Sequence, residues 1–467
     1  MKVSINWPLV ATLLFLNAFL LFLLFPFGPN LQVDTANYYS AAKNFVEGNG
    51  FKLFDGQFLK NTPPLFPLLI SLVYFLKLAV APFIWGFQFL CFNLFLFFLF
   101  RISKILLFEP ILFLLVCGLF GFAPLHIWKM ALSEAPFLAA QIAWIYFWIR
   151  EDKKAVFFSA LAFAAMTLLR YQAWFMLPGL FLPIFFKRIS FKDVFFSTLP
   201  ALLFNLLWWG YLFFKGNAVL GDHQLYNKLS FIALLNNLQV WFTGLKGAIG
   251  LNVAFGVLLL LTSFFWVFLL GKRNLIKDRT YLILLGISSS LMLFILLQNN
   301  LSLFQLPRYL SVLWPLQAIL LIISIKSLFF KETRRRNTLV IVMLVNLVGL
   351  VFLHRMEGKA KEVGIMSQLA KPNTQLVKAD LGNQILLSNF PDLVWWLKGG
   401  TCYYSQFTQE SAIDFNTRIG EANSFKLIWF TLEERNHVMA PFPGLPKDKK
   451  IKPYLEGEGF IIYELER

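Results

Sequence analysis

One carboxylate, Asp34, stands shortly after the first long apolar run of the chain, residues 7–27. It opens a segment in which Tyr38, Ala42, Phe45 and Val46 recur at helical spacing, and Gly48 marks a stop. Asp34 has two readings. Aspartate is a favoured cap, because its carboxylate accepts a backbone N–H at a helix start. At a membrane–water boundary, partial desolvation raises a carboxylate's basicity and suits it to take a proton from a hydroxyl. A capped carboxylate keeps lone pairs, so the two readings are compatible.

Other chemistries find less support. The chain has three cysteines, Cys91, Cys117 and Cys402, and no pair has metal-ligand spacing or makes a disulfide framework. Its four histidines, His126, His223, His354 and His437, are scattered, which leaves no zinc motif and no clear site for a divalent metal. His223, in Gly221-Asp222-His223-Gln224, is either a substrate contact on a loop or simply exposed.

The elements that carry these residues are membrane helices. Apolar residues make up 58% of the sequence and charged ones only 14%, more apolar surface than a soluble fold of 467 residues can hide. Runs near the length needed to cross a bilayer recur, for example at 155–169, 252–270 and 338–353. The net charge is +17, but Lys and Arg sit in short clusters between apolar runs. That placement specifies topology and contact with anionic headgroups, and it excludes nucleic acid as a partner. The run after Met1-Lys2 lacks a small-residue cleavage site and reads as an uncleaved first span.

Cytoplasmic loops carry the excess of Lys and Arg. The clusters are Arg101/Lys104, Arg150/Lys153/Lys154, Lys187/Arg188/Lys192, Lys272/Arg273/Lys277/Arg279 and Lys326/Lys331/Arg334/Arg335/Arg336. Placing all of them inside, together with Lys2, requires two spans between each pair of clusters. Pairs of runs at 109–128/134–149, 155–169/172–186, 194–214/252–270 and 281–298/309–325 satisfy this, and 338–353 leaves the tail outside. Three runs precede Arg101, at 7–27, 64–80 and 82–100, so one of them does not span. The run 64–80 is short, begins at Pro63-Pro64 and is interrupted by Lys77, which predicts a helix lying in the outer interface. The expectation is about eleven transmembrane helices plus juxtamembrane helices, with the N-terminus cytoplasmic. The bundle is expected over 1–353, with a first outer loop at 28–81, and an extracytoplasmic domain over 354–467.

The order Asp34, Tyr38-Tyr39, Ala42, Gly48-Asn49-Gly50, Lys60-Asn61-Thr62-Pro63-Pro64-Leu65-Phe66-Pro67 resembles the first outer loop of GT-C glycosyltransferases. It is similar to the protein O-mannosyltransferases and the bacterial aminoarabinose transferases of lipid A. Ser133-Glu134 looks like the family's second acidic position, and Leu168-Leu169-Arg170-Tyr171 resembles its Leu-Arg-Arg segment. Pro307-Arg308-Tyr309-Leu310, before Trp314-Pro315, resembles its late Arg-Tyr-Leu motif. The resemblance covers roughly 7–325. Many relatives carry Asp-Glu at the first motif, where this chain has Asp34-Thr35.

The resemblance implies transfer of a sugar from a polyprenyl-phosphate donor to a glycan, lipid or protein of the envelope. The reaction would lie on the non-cytoplasmic face of a bacterial inner membrane. Asp34 would be the general base of a single inverting displacement, with Glu134 assisting it or orienting the acceptor. A first-turn glutamate is also favoured by the helix dipole alone. The donor phosphate calls for cations, and arginine's fork suits it. Arg308, Lys60 and Arg170 are the residues so implied, with Tyr38, Tyr39, His223 and Tyr309 as substrate contacts. Arg308 also reads as a snorkelling anchor, and Lys60 stands two residues out of the relatives' register.

In the tail, 384–388, 426–431 and 459–464 read as buried strands and 391–397 as a helix, a small α/β domain. Its role is acceptor binding, covering the site, or purely structural. Two other functions stay open: a flippase or transporter of a lipid-linked glycan, and a polysaccharide polymerase or ligase. Transporters place ionisable residues at the bilayer midplane, whereas here they cluster at one boundary.

Overall fold

A computed structural model describes residues 7–24, 33–59, 62–121, 128, 133–150, 152–215, 278–297 and 312–328, a few isolated positions beyond, and five strands in the tail. The chain divides into two compact units. One comprises Met1–Asn30, Lys60–Phe66 and Ala79–His354; the other comprises Leu31–Leu59, Pro67–Leu78 and Arg355–Arg467.

The first unit is a helix bundle. Its described elements are α1 (Trp7–Leu24), α4 (Val80–Ile105), α5 (Pro110–Gly121), α6 (Glu134–Ile149), α7 (Lys153–Leu169), a 3₁₀ segment (Tyr171–Leu180), α8 (Phe181–Phe185), α9 (Phe191–Phe214), α10 (Arg279–Leu297) and α11 (Trp314–Leu328). Helices α4 and α9 are apolar apart from the charged residues Arg101 and Lys104 at the end of α4 and Lys192 and Asp193 at the start of α9. At 26 and 24 residues, they run to about 39 and 36 Å, enough for a hydrocarbon core of about 30 Å. The exposed faces of α9 carry Leu203, Phe204, Leu207 and Phe214, as a lipid-facing helix requires. Helix α6 is instead buried nearly all round and packs against α4 and α7. A helix apolar on every side belongs at the centre.

Without a hydrophobic drive between helices in lipid, small residues and polar side chains hold the bundle together. Asn17 of α1 and Asn93 of α4 exchange amide hydrogen bonds of 3.1 and 2.9 Å. Asn205 of α9 donates to Thr167 of α7 at 2.9 Å. Gln317 of α11 donates to Ser288 of α10.

The return span expected at 172–186 begins as a 3₁₀ helix, Tyr171–Leu180, and continues as α8. Ten residues wound at about 2.0 Å each reach about 20 Å, where an α-helix of ten would reach about 15 Å. Pro178 lies inside this segment, and Gly179 is in direct backbone contact with Gly286 of α10. A Cβ on either glycine would collide with the other's main chain. Phe175 and Phe294 stack at 3.4 Å between centroids, and Ser290 donates to the Phe175 carbonyl at 2.6 Å. Gly286→Ala is therefore expected to destabilise the protein by about 1–3 kcal/mol, as overpacking does. Thermal unfolding in detergent measures it, and an unchanged midpoint contradicts the close approach.

In the second unit, α2 (Val33–Val46) and α3 (Leu65–Phe75, from Pro67 onward in this unit) come from the first loop. Helix α3 has 11 residues and reaches about 16 Å, too little to cross the membrane. It ends as a left-handed cap at Lys77, φ 53°, where the Leu78 N–H donates to the Val73 carbonyl at 2.8 Å. The tail forms one sheet in the order β2-β1-β3-β5-β4. Its strands are β1 (Ile385–Ser388), β2 (Cys402–Tyr404), β3 (Phe425–Phe430), β4 (Ile451–Gly457) and β5 (Phe460–Leu465). β1 pairs in parallel with β2 and β3, while β5 pairs antiparallel with β3 and β4. The three expected strands fall on β1, β3 and β5. β2 and β4 add to them, and β4 holds Pro453 at the sheet edge, beside a register shift, where a missing N–H is tolerated. The helix expected at 391–397 lies outside the described residues except at Val394.

Candidate functional site

Asp34 sits in the first turn of α2, where the helix dipole favours a negative charge. Thr35 and Ala36 beside it are buried, while Asp34 is partly exposed. The turn at its C-terminal end holds the helix in place. Glu47, Gly48 and Asn49 N–H groups bond back to Lys43, Phe45 and Asn44 carbonyls, and Gly48 takes φ 82°, which a side chain would resist. Asn44 reaches forward to the Lys52 carbonyl at 2.8 Å, Phe45 stacks on Phe51 at 4.6 Å, and Lys52 pairs with Phe58. The Gly48-Asn49-Gly50 turn thus locks α2 to the strand-like hairpin behind it.

Tyr38 and Tyr39 are both buried at 2% exposure, so their rings pack and offer no open face to solvent. Burial, and then the neighbouring Tyr74, pushes the Tyr39 phenol far above its ordinary range. Burial, and then Glu47, does the same for Tyr74. Both stay protonated near neutrality, so neither serves as a phenolate base.

In the bundle, two residues that the sequence assigned to different tasks lie together. Glu134 opens α6 and Arg170 caps the C-terminus of α7; Arg170 Nη1 and Glu134 Oε1 are 2.6 Å apart. The Glu134 side chain is 1% exposed and the Arg170 side chain 12%. Arg170 also lies 3.4 Å from Ser133 Oγ, a weak contact. The pairing was legible in principle. Helices of 16 and 17 residues joined by a short turn bring the start of the first beside the end of the second. Next to Arg170, the Tyr171 hydroxyl accepts from Trp208 Nε1 at 3.0 Å, and the Tyr171 ring faces Trp209 at 6.5 Å. These two tryptophans of α9 do not stand out in the sequence, because an indole in an apolar run reads as lipid-facing. Lys60, His223, Arg308 and Tyr309 lie outside the described residues. Among the described residues, no group of three His, Cys, Asp or Glu side chains is placed to hold a metal ion.

The fold is a bundle of apolar helices with a five-stranded sheet in the tail, and a solved structure shares it along nearly the whole chain. The solved structure of ArnT from Cupriavidus metallidurans, bound to undecaprenyl phosphate, matches with a TM-score of 0.57 at 10% sequence identity, over 97% of this chain and 97% of that one. No protein-family model and no curated protein matches the sequence.

Proposed function

We propose that this protein transfers a sugar from a polyprenyl-phosphate-linked donor to an envelope acceptor on the non-cytoplasmic face of a bacterial inner membrane. The observation that carries the reading is the likeness, along nearly the whole chain, to a solved structure that holds undecaprenyl phosphate. A long isoprenoid needs a groove beside a helix bundle and a cationic site for its phosphate at the interface. This chain supplies the bundle and, in sequence, Arg308, Lys60 and Arg170 for the phosphate.

Asp34 is the general base. It takes the proton of an acceptor hydroxyl as that oxygen attacks the anomeric carbon and the lipid phosphate departs in a single inverting displacement. The leaving phosphate needs charge neutralisation more than a proton. Glu134, held by Arg170, orients the acceptor side of the site. The organisation that goes with this reading is a bundle over 1–353 with about eleven spans and an extracytoplasmic domain over 354–467.

Purified protein incubated with polyprenyl-phosphate sugars and envelope acceptors is expected to release the free lipid phosphate. Intact donor in every combination rejects the reading. The topology has its own test. A cysteine at position 77 should react with an impermeant thiol reagent added from outside the membrane. Labelling only from the cytoplasm refutes the placement of α3.

A further inference from the structure

The segment Tyr171–Leu180 keeps 3₁₀ winding for 10 residues, where such runs rarely exceed about three or four. In this winding each carbonyl accepts from the N–H three residues further on. The run begins so on Arg170, whose carbonyl takes the Ala173 N–H at 3.2 Å. Further along, the pattern meets Pro178, which has no N–H to give. The carbonyl left without its 3₁₀ donor is that of Phe175. Ser290 of α10 donates to that same carbonyl at 2.6 Å, from 115 residues away along the chain. A side chain of a neighbouring helix thus supplies the bond that the segment cannot make for itself.

The winding matters because both ends of the segment are held. The Tyr171 hydroxyl accepts from Trp208 of α9 at 3.0 Å, and Gly179 lies against the main chain of Gly286. From Tyr171 to Gly179 a 3₁₀ helix covers about 16 Å and an α-helix about 12 Å. Rewinding as α would withdraw one end by about 4 Å, more than a hydrogen bond tolerates. It would also shift the carbonyl orphaned by Pro178 from Phe175 to Trp174, because an α-helical bond runs to the fourth residue back. Ser290 would then face a carbonyl already bonded to the Gly179 N–H. The Ser290 bond therefore favours the 3₁₀ form over the α form.

We infer that Ser290 is a positioning residue: it holds 171–180 in the 3₁₀ form and so fixes Tyr171 beside Arg170 and its partner Glu134. It acts on that corner through the length of the segment. That the corner takes part in sugar transfer rests on the function proposed above; that Ser290 fixes it does not.

The test uses full-length protein in detergent and begins without turnover. Ser290→Ala should lower the thermal unfolding midpoint by a few degrees, and so should Tyr171→Phe. Changes at sites that share no partner add. Here the double variant should fall no further than the worse single one, because loss of Ser290 already releases Tyr171. Pro178→Ala gives the segment an N–H of its own at position 178, so Ser290→Ala should cost little in that background. In the transfer reaction, Ser290→Ala should lower kcat by about tenfold, the upper end of what one hydrogen bond contributes. Pro178→Ala/Ser290→Ala should regain most of it. Purely additive midpoints, or a Ser290→Ala deficit that Pro178→Ala does not reduce, overturn the inference. Absence of transfer by the wild-type protein rejects the proposed function instead and leaves the unfolding midpoints to decide on Ser290.

Discussion

Asp34→Asn should lower glycosyl transfer by about 10²–10⁴-fold, the usual contribution of a positioned general base. The substitution separates the two roles that the sequence allows. Asparagine has nearly the same size and shape, and in the first turn of α2 it gives up a charge–dipole contribution of only about 0.3–1 kcal/mol. Helix α2 and the turn locked by Asn44, Gly48 and Phe51 should therefore survive it. What is removed is the negative charge and, with it, the capacity to accept a proton. The lipid donor should still bind, because its phosphate is recognised by cations. Steady-state turnover and donor binding measured on the same preparation check both halves. Near-normal turnover would reduce Asp34 to a first-turn charge of α2 and remove it from the mechanism.

The second large effect belongs to the Glu134–Arg170 pair. Glu134 is buried and the Arg170 side chain is 12% exposed, so removal of one takes an ionic partner from a charge held largely away from water. Such a loss costs about 3–5 kcal/mol. Glu134→Ala and Arg170→Ala should each lower the unfolding midpoint strongly. Glu134→Gln/Arg170→Met, which removes both charges at similar volume, should cost much less than the two single changes added together. That non-additivity is the signature of a buried pair. Activity then divides the functions of Arg170. If it serves only to hold Glu134, the neutral double variant keeps its donor KM. If it also binds donor phosphate, KM rises while stability recovers. Single variants as stable as the wild type would contradict the pairing.

Much of the fold is legible from the sequence because lipid imposes simple rules. Apolar runs locate the described helices α5, α6, α7, α9, α10 and α11 to within a few residues. The charge argument against a span at 64–80 agrees with a helix that stops at Phe75, five residues before the run ends, where Lys77 takes a left-handed cap. Helix α2 and its Gly48 stop come from periodicity and from glycine's access to positive φ. Other features are hidden for physical reasons. The 3₁₀ segment 171–180 meets α10 where Gly179 touches Gly286, a contact between positions more than a hundred residues apart that no local pattern shows. Strand β2 has three residues, too few for alternation to show, and β4 contains a proline that argues against a strand. The convergence of Arg101 and Arg150 on Tyr146 needs the packing of α4 against α6, which no local pattern encodes. At the site, Asp34, Glu134 and Arg170 are each legible as single residues. The structure adds that Glu134 and Arg170 form one buried unit.

The central proposal is that this helix bundle breaks a sugar–phosphate bond and does not merely move a lipid-linked glycan. The most direct measurement places purified protein in proteoliposomes with a radiolabelled polyprenyl-phosphate sugar and an envelope acceptor. Both the fate of the label and its leaflet are then monitored. The account predicts that wild-type protein moves the label to the acceptor and leaves free polyprenyl phosphate, and that Asp34→Asn does neither. Intact donor carried from one leaflet to the other without cleavage would contradict it.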